Sequence, residues 1–171
     1  MGVSEKSIRP DSFEQLALPL LDRLYNFAHW LTRDRTEAED LVQEAFAKAL
    51  KGFSSFQPGT NFRAWMYRIV RNTFLTSRTG LAAATLVELE EEMLPGDGKT
   101  PETILLQRVD QQQVQKALQE LPVMYREILL LCEVEEMSYQ EIASTLGIPI
   151  GTVMSRLSRA RRALREKVRG A

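Results

Sequence analysis

The chain has 171 residues, of which 44% are apolar and 26% charged, and its formal net charge at pH 7 is −1. This composition suits one ordinary domain or two small ones, and it excludes a uniformly basic protein, so any nucleic-acid surface must come from uneven charge distribution. One cysteine, Cys132, and one histidine, His29, exclude an intrachain disulfide and a Cys/His metal cluster, and we expect neither metal nor cofactor.

The first half of the chain has the apolar spacing of helices rather than of strands. An apolar stripe runs from Phe13 to Leu31 at helical intervals. The sequence TEAE that follows predicts a capping box at the start of a second helix, and Gly52 is expected to end that helix. The sequence SSFQPGTN then predicts a loop, with Thr60 or Asn61 as the cap of a third helix.

The third helix is basic and aromatic. The stretch NFRAWMYRIVRNTFLTSRT holds four arginines and no acidic residue. Basic residues interleaved with rings are typical of surfaces that hold unstacked single-stranded nucleic acid, although an aromatic core with a solvated basic face has the same composition. The preceding helix presents acidic and polar side chains outward, which suits a protein partner or water.

An acidic stretch, residues 84–104, separates the two halves of the chain. It contains the breaker sequence PGDG and an excess of glutamate, which predicts a flexible linker. We therefore expect an all-α fold with two small helical domains, residues 1–83 and 105–171, on either side of this linker.

The second domain has the pattern of a helix-turn-helix. Pro122 is expected to open a helix that runs to about Cys132. The sequence SYQE then predicts a capping box, Gly147 predicts the end of that short helix, and a last helix begins near Ile150.

The last helix is amphipathic and strongly basic. From Ser155 to Arg169 it carries seven Arg or Lys and one Glu, and an apolar stripe from Val153 to Val168 lies opposite. A helix with a packed back and an Arg/Ser/Thr front can enter the major groove of DNA. The residues expected on that front are Thr152, Met154, Ser155, Ser158, Arg159 and Arg162.

Three stretches together resemble the extracytoplasmic-function sigma factors, which are bacterial initiation factors containing sigma regions two and four. The stretches are TEAEDLVQEAFAKAL, FQPGTNFRAWMYRIVRNTF and LPVMYREILLLCEVEEMSYQEIASTLGIPIGTVMSRLSRARRALR. The resemblance covers residues 14–168 in the family's order and implies region two in the first domain and region four in the second. One departure is Met154, where many relatives have Lys or Arg.

The resemblance also implies a role for each stretch. The first matches the helix that docks on the β′ clamp helices of core RNA polymerase, with Asp40, Leu41, Gln43, Glu44 and Phe46 as the implied contacts. The second matches the loop and helix that capture a flipped base and hold the melted −10 strand, with Gln57, Thr60, Asn61, Phe62, Trp65, Arg68, Arg71 and Asn72 as the implied contacts. The third matches the reader of duplex −35 DNA, which also meets the β flap.

We therefore expect a DNA-binding initiation factor that is not an enzyme, with core RNA polymerase, promoter DNA and an anti-sigma factor as partners. No apolar run is long enough to span a membrane and no secretory signal is present, so a cytoplasmic location is expected. Two alternatives stay open. One is a stand-alone helix-turn-helix regulator that binds duplex operator by itself, and the other is a sigma-mimicking adaptor that sequesters an anti-sigma factor.

Overall fold

The computed structural model describes residues 12–78 and 111–170, and the regular elements in those two ranges are all helical. They comprise eight α-helices: α1 Phe13–Ala17, α2 Leu21–Thr32, α3 Arg35–Gly52, α4 Phe62–Ser77, α5 Gln111–Glu120, α6 Val123–Leu129, α7 Tyr139–Leu146 and α8 Ile150–Arg169. The all-α prediction is confirmed, whereas the predicted linker, residues 84–104, lies outside the described residues. None of the described helices is long and apolar enough to cross a membrane.

The first block, residues 12–78, is a bundle in which α2, α3 and α4 contact one another in pairs. The apolar stripe predicted from Phe13 onward is split between two helices, because a 3₁₀ turn at Leu18–Leu20 contains Pro19, which has no backbone N–H to donate. Behind this turn Phe27 of α2 packs edge-on against Tyr67 of α4, with 5.1 Å between ring centroids. Both rings are buried in the core of the block.

Side-chain caps fix where α3 and α4 begin. The predicted TEAE capping box is wrong, because Asp34 caps α3 by accepting a hydrogen bond from the Glu37 backbone N–H at 2.9 Å. Thr36 therefore lies inside the first turn of the helix. For α4 the cap is Asn61, whose Oδ1 accepts from the Ala64 N–H at 3.0 Å. Gly52 ends α3 as predicted.

The second block, residues 111–170, contains the predicted helix-turn-helix. Ser138 and Glu141 form the predicted capping box at the start of α7. Gly147 ends α7 with a φ of 67°, a left-handed conformation that glycine adopts without steric cost. Helix α8 then begins at Ile150, and its stripe is buried from Val153 onward.

The helix expected to run from Pro122 to Cys132 changes type before it ends. Helix α6 stops at Leu129 and continues as a π turn over Leu130–Val134. The Glu135 N–H donates to the Leu130 carbonyl at 3.0 Å, which closes the wider turn. The apolar run that contains Leu130 and Leu131 carries no sequence signal for this change of turn.

The two blocks pack against each other, with α4 beside α7 and α2 beside α6. Arg126, which is only 3% exposed, donates from Nη2 to the Leu31 carbonyl of the first block at 3.1 Å. Burial, with a smaller effect of the neighbouring Arg33 charge, lowers the pKa of Arg126 to about 10. Arg33 donates in turn to the Gln119 carbonyl of the second block at 2.9 Å.

Candidate nucleic-acid interface

The outer face of α3 is acidic and open to solvent. Asp40, Gln43 and Glu44 are exposed there, whereas Leu41 is only 5% exposed and belongs to the core of the block. Phe46 is half-buried, and its ring lies edge-on to Phe13 at 6.2 Å. The three polar residues are thus available to a partner, and the two apolar ones mainly support the helix from behind.

A cleft of about 370 Å³ lies beside this acidic face, between α3 and the end of α4. Glu37, Asp40 and Glu44 line one side of it and Arg78 the other. The Arg78 guanidinium lies 3.3 Å from a Glu37 carboxylate oxygen and also stacks on the Phe74 ring. The cleft therefore continues the acidic face rather than forming a separate site.

Aromatic rings anchor the loop between α3 and α4. The rings of Phe56 and Phe62 meet edge-on at 5.4 Å, and Trp65 lies 5.1 Å from Phe56 and 5.6 Å from Phe62. These contacts half-bury the predicted DNA contacts Phe62 and Trp65. The polar residues of the loop, Gln57 and Thr60, stay exposed, and Thr60 donates to the Gln57 carbonyl at 2.7 Å. The rings thus hold a rigid loop that presents polar groups.

The arginines of α4 point toward the second block. Arg71 makes a two-pronged ion pair with Glu127, with Nε to Oε2 at 3.2 Å and Nη2 to Oε1 at 3.3 Å. Its Nη1 also donates to the Leu146 carbonyl at 3.3 Å. Arg68 is exposed but has a guanidinium nitrogen next to the helix-turn-helix glycine, Gly147. Asn72 is exposed on the same helix.

Glu127 is buried among arginines of both blocks. Glu127 and Arg156 are each 2% exposed, and Arg126 is 3% exposed. Burial raises the pKa of Glu127, and the charge and hydrogen bonds of Arg71 oppose that shift. The carboxylate is therefore held in a low-dielectric site, where Arg71 is the partner contributed by the other block.

Arg63, which was not predicted to be a DNA contact, also joins the two blocks. Its Nη2 lies 3.1 Å from Glu141 Oε2, and its Nη1 donates to the Glu135 carbonyl at 3.1 Å. The same Glu141 oxygen accepts from Asn61 Nδ2 at 2.9 Å. Partial burial opposes ionisation of Glu141, but the hydrogen bonds from Arg63 and Asn61 outweigh it and lower the pKa.

The front of α8 faces solvent on the other side of the second block. Met154 is 55% exposed, and Ser155 and Arg162 on the same front are exposed as well. Thr152, Ser158 and Arg159 are half-buried, at the edges of this front. The Arg159 Nε is shielded from solvent and has no hydrogen-bond partner among the residues that the structure describes.

The residues predicted to contact polymerase or DNA thus lie in three places in the structure. The three exposed polar residues of α3 lie on one face, and the predicted −35 residues lie on the front and edges of α8. The predicted −10 residues divide further, because Asn61 and Arg71 are bonded to the second block while Gln57, Thr60 and Asn72 are exposed.

Family models match both blocks separately. The model described as Sigma-70 region 2 matches residues 16–82, and the model described as Sigma-70, region 4, matches residues 111–164. These matches follow the same order as the two helical blocks.

Curated relatives align over nearly the whole chain. The sigma factor SigE of Mycolicibacterium smegmatis is 36% identical over 157 residues, which cover 91% of this chain and 61% of that protein. SigW of Bacillus subtilis is 30% identical, covering 93% of this chain and 90% of that one. The sigma-H factor of Pseudomonas aeruginosa is 33% identical, with coverage of 90% and 84%.

Solved sigma-factor structures share the fold. RpoE of Bartonella quintana, in complex with the anti-sigma factor NepR, is 33% identical with a TM-score of 0.69, covering 92% of this chain and 96% of that one. CnrH in complex with the cytosolic domain of CnrY is 26% identical with a TM-score of 0.66, covering 92% and 88%. Together with the two matched regions, these likenesses show that the chain belongs to the extracytoplasmic-function sigma factors, the alternative sigma factors of bacterial transcription initiation.

Proposed function

We propose that this sigma factor binds core RNA polymerase through the exposed acidic face of α3 and directs it to promoters by reading two DNA elements. Helix α8 reads the duplex −35 element, and the Gln57–Asn61 loop with α4 holds the unpaired −10 strand. The factor selects the promoter, while the chemistry of RNA synthesis belongs to the polymerase. We place this activity in the cytoplasm, where core polymerase and DNA are found.

The observation that carries this proposal is the two-sided construction of α8. Its back is buried through Val153 and Leu157, at 0% and 1% exposure, and Gly147 makes the turn that sets its angle to α7. Its front is left to solvent with Met154 and Ser155. A helix held in this way by a helix-turn-helix can place its front in a major groove.

The acidic face of α3 supports the polymerase contact. Carboxylates would repel the DNA backbone but can pair with basic side chains of a protein partner. Asp40 and Glu44 are one helical turn apart and both exposed, so they form a single contact surface.

An anti-sigma factor is the further partner that we propose. The sigma factor RpoE of Bartonella quintana was solved in complex with such a partner, NepR. The present chain shares the fold of that sigma factor over 92% of its own length, so it offers a comparable surface for a protein of that class.

Run-off transcription on a library of promoter fragments tests the proposal. Purified chain with bacterial core RNA polymerase is expected to give promoter-specific transcripts that core polymerase alone does not give. The double variant Asp40→Lys/Glu44→Lys should abolish these transcripts and co-elution with core, because it reverses the charge of the docking face.

The matched control is Glu14→Lys, which reverses one exposed charge on α1 instead of α3. We expect it to transcribe as the wild type does. If the wild-type chain yields no core-dependent transcript from any fragment, the proposed function is wrong.

A further inference from the structure

We propose that the second block of this chain closes over the −10-reading surface of the first and occupies it with its own carboxylates. In this closed form single-stranded DNA must compete with Glu127 and Glu141 for the same side chains. The inference rests on the proposed function and adds to it an internal competitor that must be displaced before the −10 strand is held.

Some of the side chains predicted to hold the −10 strand are already occupied. Of the residues predicted to hold the −10 strand, Asn61 donates to Glu141 and Arg71 is paired with Glu127. Arg68, between them on α4, lies beside Gly147 of the second block. The three residues that the second block engages thus all lie along one side of the start and middle of α4.

Carboxylates of the second block engage these side chains. The Glu127 carboxylate meets the Arg71 guanidinium through two parallel contacts of 3.2 and 3.3 Å. A DNA phosphate presents paired oxygens to arginine in the same way. Glu141 likewise accepts from Asn61 and Arg63 with a single oxygen, Oε2, at 2.9 and 3.1 Å. Each carboxylate therefore occupies hydrogen-bond donors that nucleic acid would use.

Closure leaves the front of α8, the other predicted DNA surface, open. Met154 and Ser155 on the front of α8 are exposed although the two blocks are packed together. The packing therefore covers part of the −10-reading surface and leaves the front of α8 free. The closed chain can meet duplex DNA through α8 while Asn61 and Arg71 of its single-strand surface are engaged by the second block.

The closed form can open, because the contact between the blocks is polar. The contact between blocks is rich in charged groups, with Arg63, Arg71 and Arg126 all bonded across it. Interfaces between domains of this polar kind resemble those of transient complexes and permit domain motion. Opening returns the buried carboxylate of Glu127 to water, which offsets part of the loss of the ion pair.

A single-strand binding experiment tests closure on the full-length chain. The probe is a fluorescein-labelled, 20-nucleotide single-stranded DNA of mixed sequence, and the corresponding duplex is measured in parallel by fluorescence anisotropy. Glu141→Gln should raise the affinity for the single strand about three- to tenfold, because apparent affinity scales with the open fraction. Its affinity for the duplex should stay within about twofold of the wild type, because α8 is accessible in both forms.

Glu133→Gln is the matched control. Glu133 pairs with Arg161 at 2.8 Å inside the second block, so this variant loses the same charge without touching the contact between blocks. The glutamine in Glu141→Gln can still serve the capping box of α7. If Glu141→Gln binds the single strand no better than Glu133→Gln does, closure is contradicted.

A charge exchange separates opening from local damage. Glu141→Arg should open the chain and raise its radius of gyration in small-angle X-ray scattering, and adding Arg63→Glu should restore both the wild-type radius and the weak single-strand binding. Failure of the double variant to restore either quantity would contradict closure. Both variants lose the same capping-box hydrogen bond, from the Ser138 N–H to the Glu141 carboxylate, so restoration cannot come from the cap.

Run-off transcription distinguishes this inference from the proposed function. Transcripts from the wild type together with unchanged single-strand affinity of Glu141→Gln would overturn closure alone. A raised single-strand affinity with no core-dependent transcript from any form would support closure and overturn the proposed function.

Discussion

Buried polar side chains in this protein compensate for the loss of water contacts in different ways. Glu127 has Arg71 as a charged partner at 3.2 Å. The Tyr67 hydroxyl is also buried, and its polar neighbour is the Glu135 carboxylate. Burial raises the pKa of Tyr67 well above its usual range, and the hydrogen bond and charge of the Glu135 carboxylate add to the shift. Tyr67 therefore contributes to the structure through both its ring and its hydroxyl group.

Two substitutions at Tyr67 separate the ring from the hydroxyl. Tyr67→Phe should lower the free energy of unfolding by about 1–3 kcal/mol, because it removes the hydroxyl group that partners the buried Glu135 carboxylate. Tyr67→Ala should lower it by about 3–5 kcal/mol, because a large aromatic side chain leaves the core. Urea unfolding followed by circular dichroism measures both. An unchanged or raised free energy of unfolding for Tyr67→Phe would contradict a stabilising role of the hydroxyl group.

At the scale of elements, the basic residues of helix α8 form two groups. Some pack within the second block, and others lie on or beside its exposed front. Arg161 pairs with Glu133 at 2.8 Å and Arg156 is buried at 2% exposure, so both belong to the packing of the second block. Arg159 is half-buried at the edge of the front, with a shielded Nε that lacks a partner among the described residues. We propose Arg159 as the DNA contact at this edge, because no ion pair holds its side chain among the described residues.

We therefore expect Arg159→Ala to reduce run-off transcription from promoters with a −35 element by about tenfold, in line with the roughly 1–3 kcal/mol of one base contact. Co-elution with core polymerase should be unchanged, because the acidic face of α3 is intact. Arg169→Ala, which removes an exposed charge from the last turn of α8, is the control and should transcribe normally. Loss of core binding by Arg159→Ala would contradict this division of roles.

Local sequence signals predicted the elements well where a single residue determines the geometry. Gly147 was identified as the end of α7 because its left-handed conformation favours glycine, and Ser138 with Glu141 was identified as a capping box. The signal at α3 was ambiguous, because Asp34 and Thr36 are both good caps and only the path of the backbone selects Asp34. The π turn after α6 had no such signal.

At the scale of the whole molecule, the sequence carries no signal for the way the two blocks meet. Arg71 was assigned to DNA and Glu127 to no role, yet the two are paired across 56 residues of chain. Contacts of this kind join single charged side chains from distant segments and leave no periodicity in the sequence. The same applies to Arg126 and Leu31, which are separated by 95 residues.

Glu141 makes the contact between blocks sensitive to acid. Its pKa is lowered in the folded chain, so the contribution of Glu141 to stability is present above its ordinary pKa of 4.5 and is lost as the pH falls through the folded value. The wild type should therefore be more stable than Glu141→Gln at neutral pH. This difference should shrink progressively as the pH falls below 4.5, as measured by urea unfolding over a series of pH values. A difference that stays constant with pH would contradict this assignment.

The 56-residue separation of Arg71 and Glu127 also matters while the protein is being made. At synthesis rates of about 5–20 residues per second, the ribosome adds Glu127 about 3–11 seconds after Arg71. During that interval the nascent first block has its arginines but not yet the carboxylates that will cover them. In every newly translated molecule the arginines of the first block are thus uncovered at first. Closure becomes possible only when the second block has been synthesised.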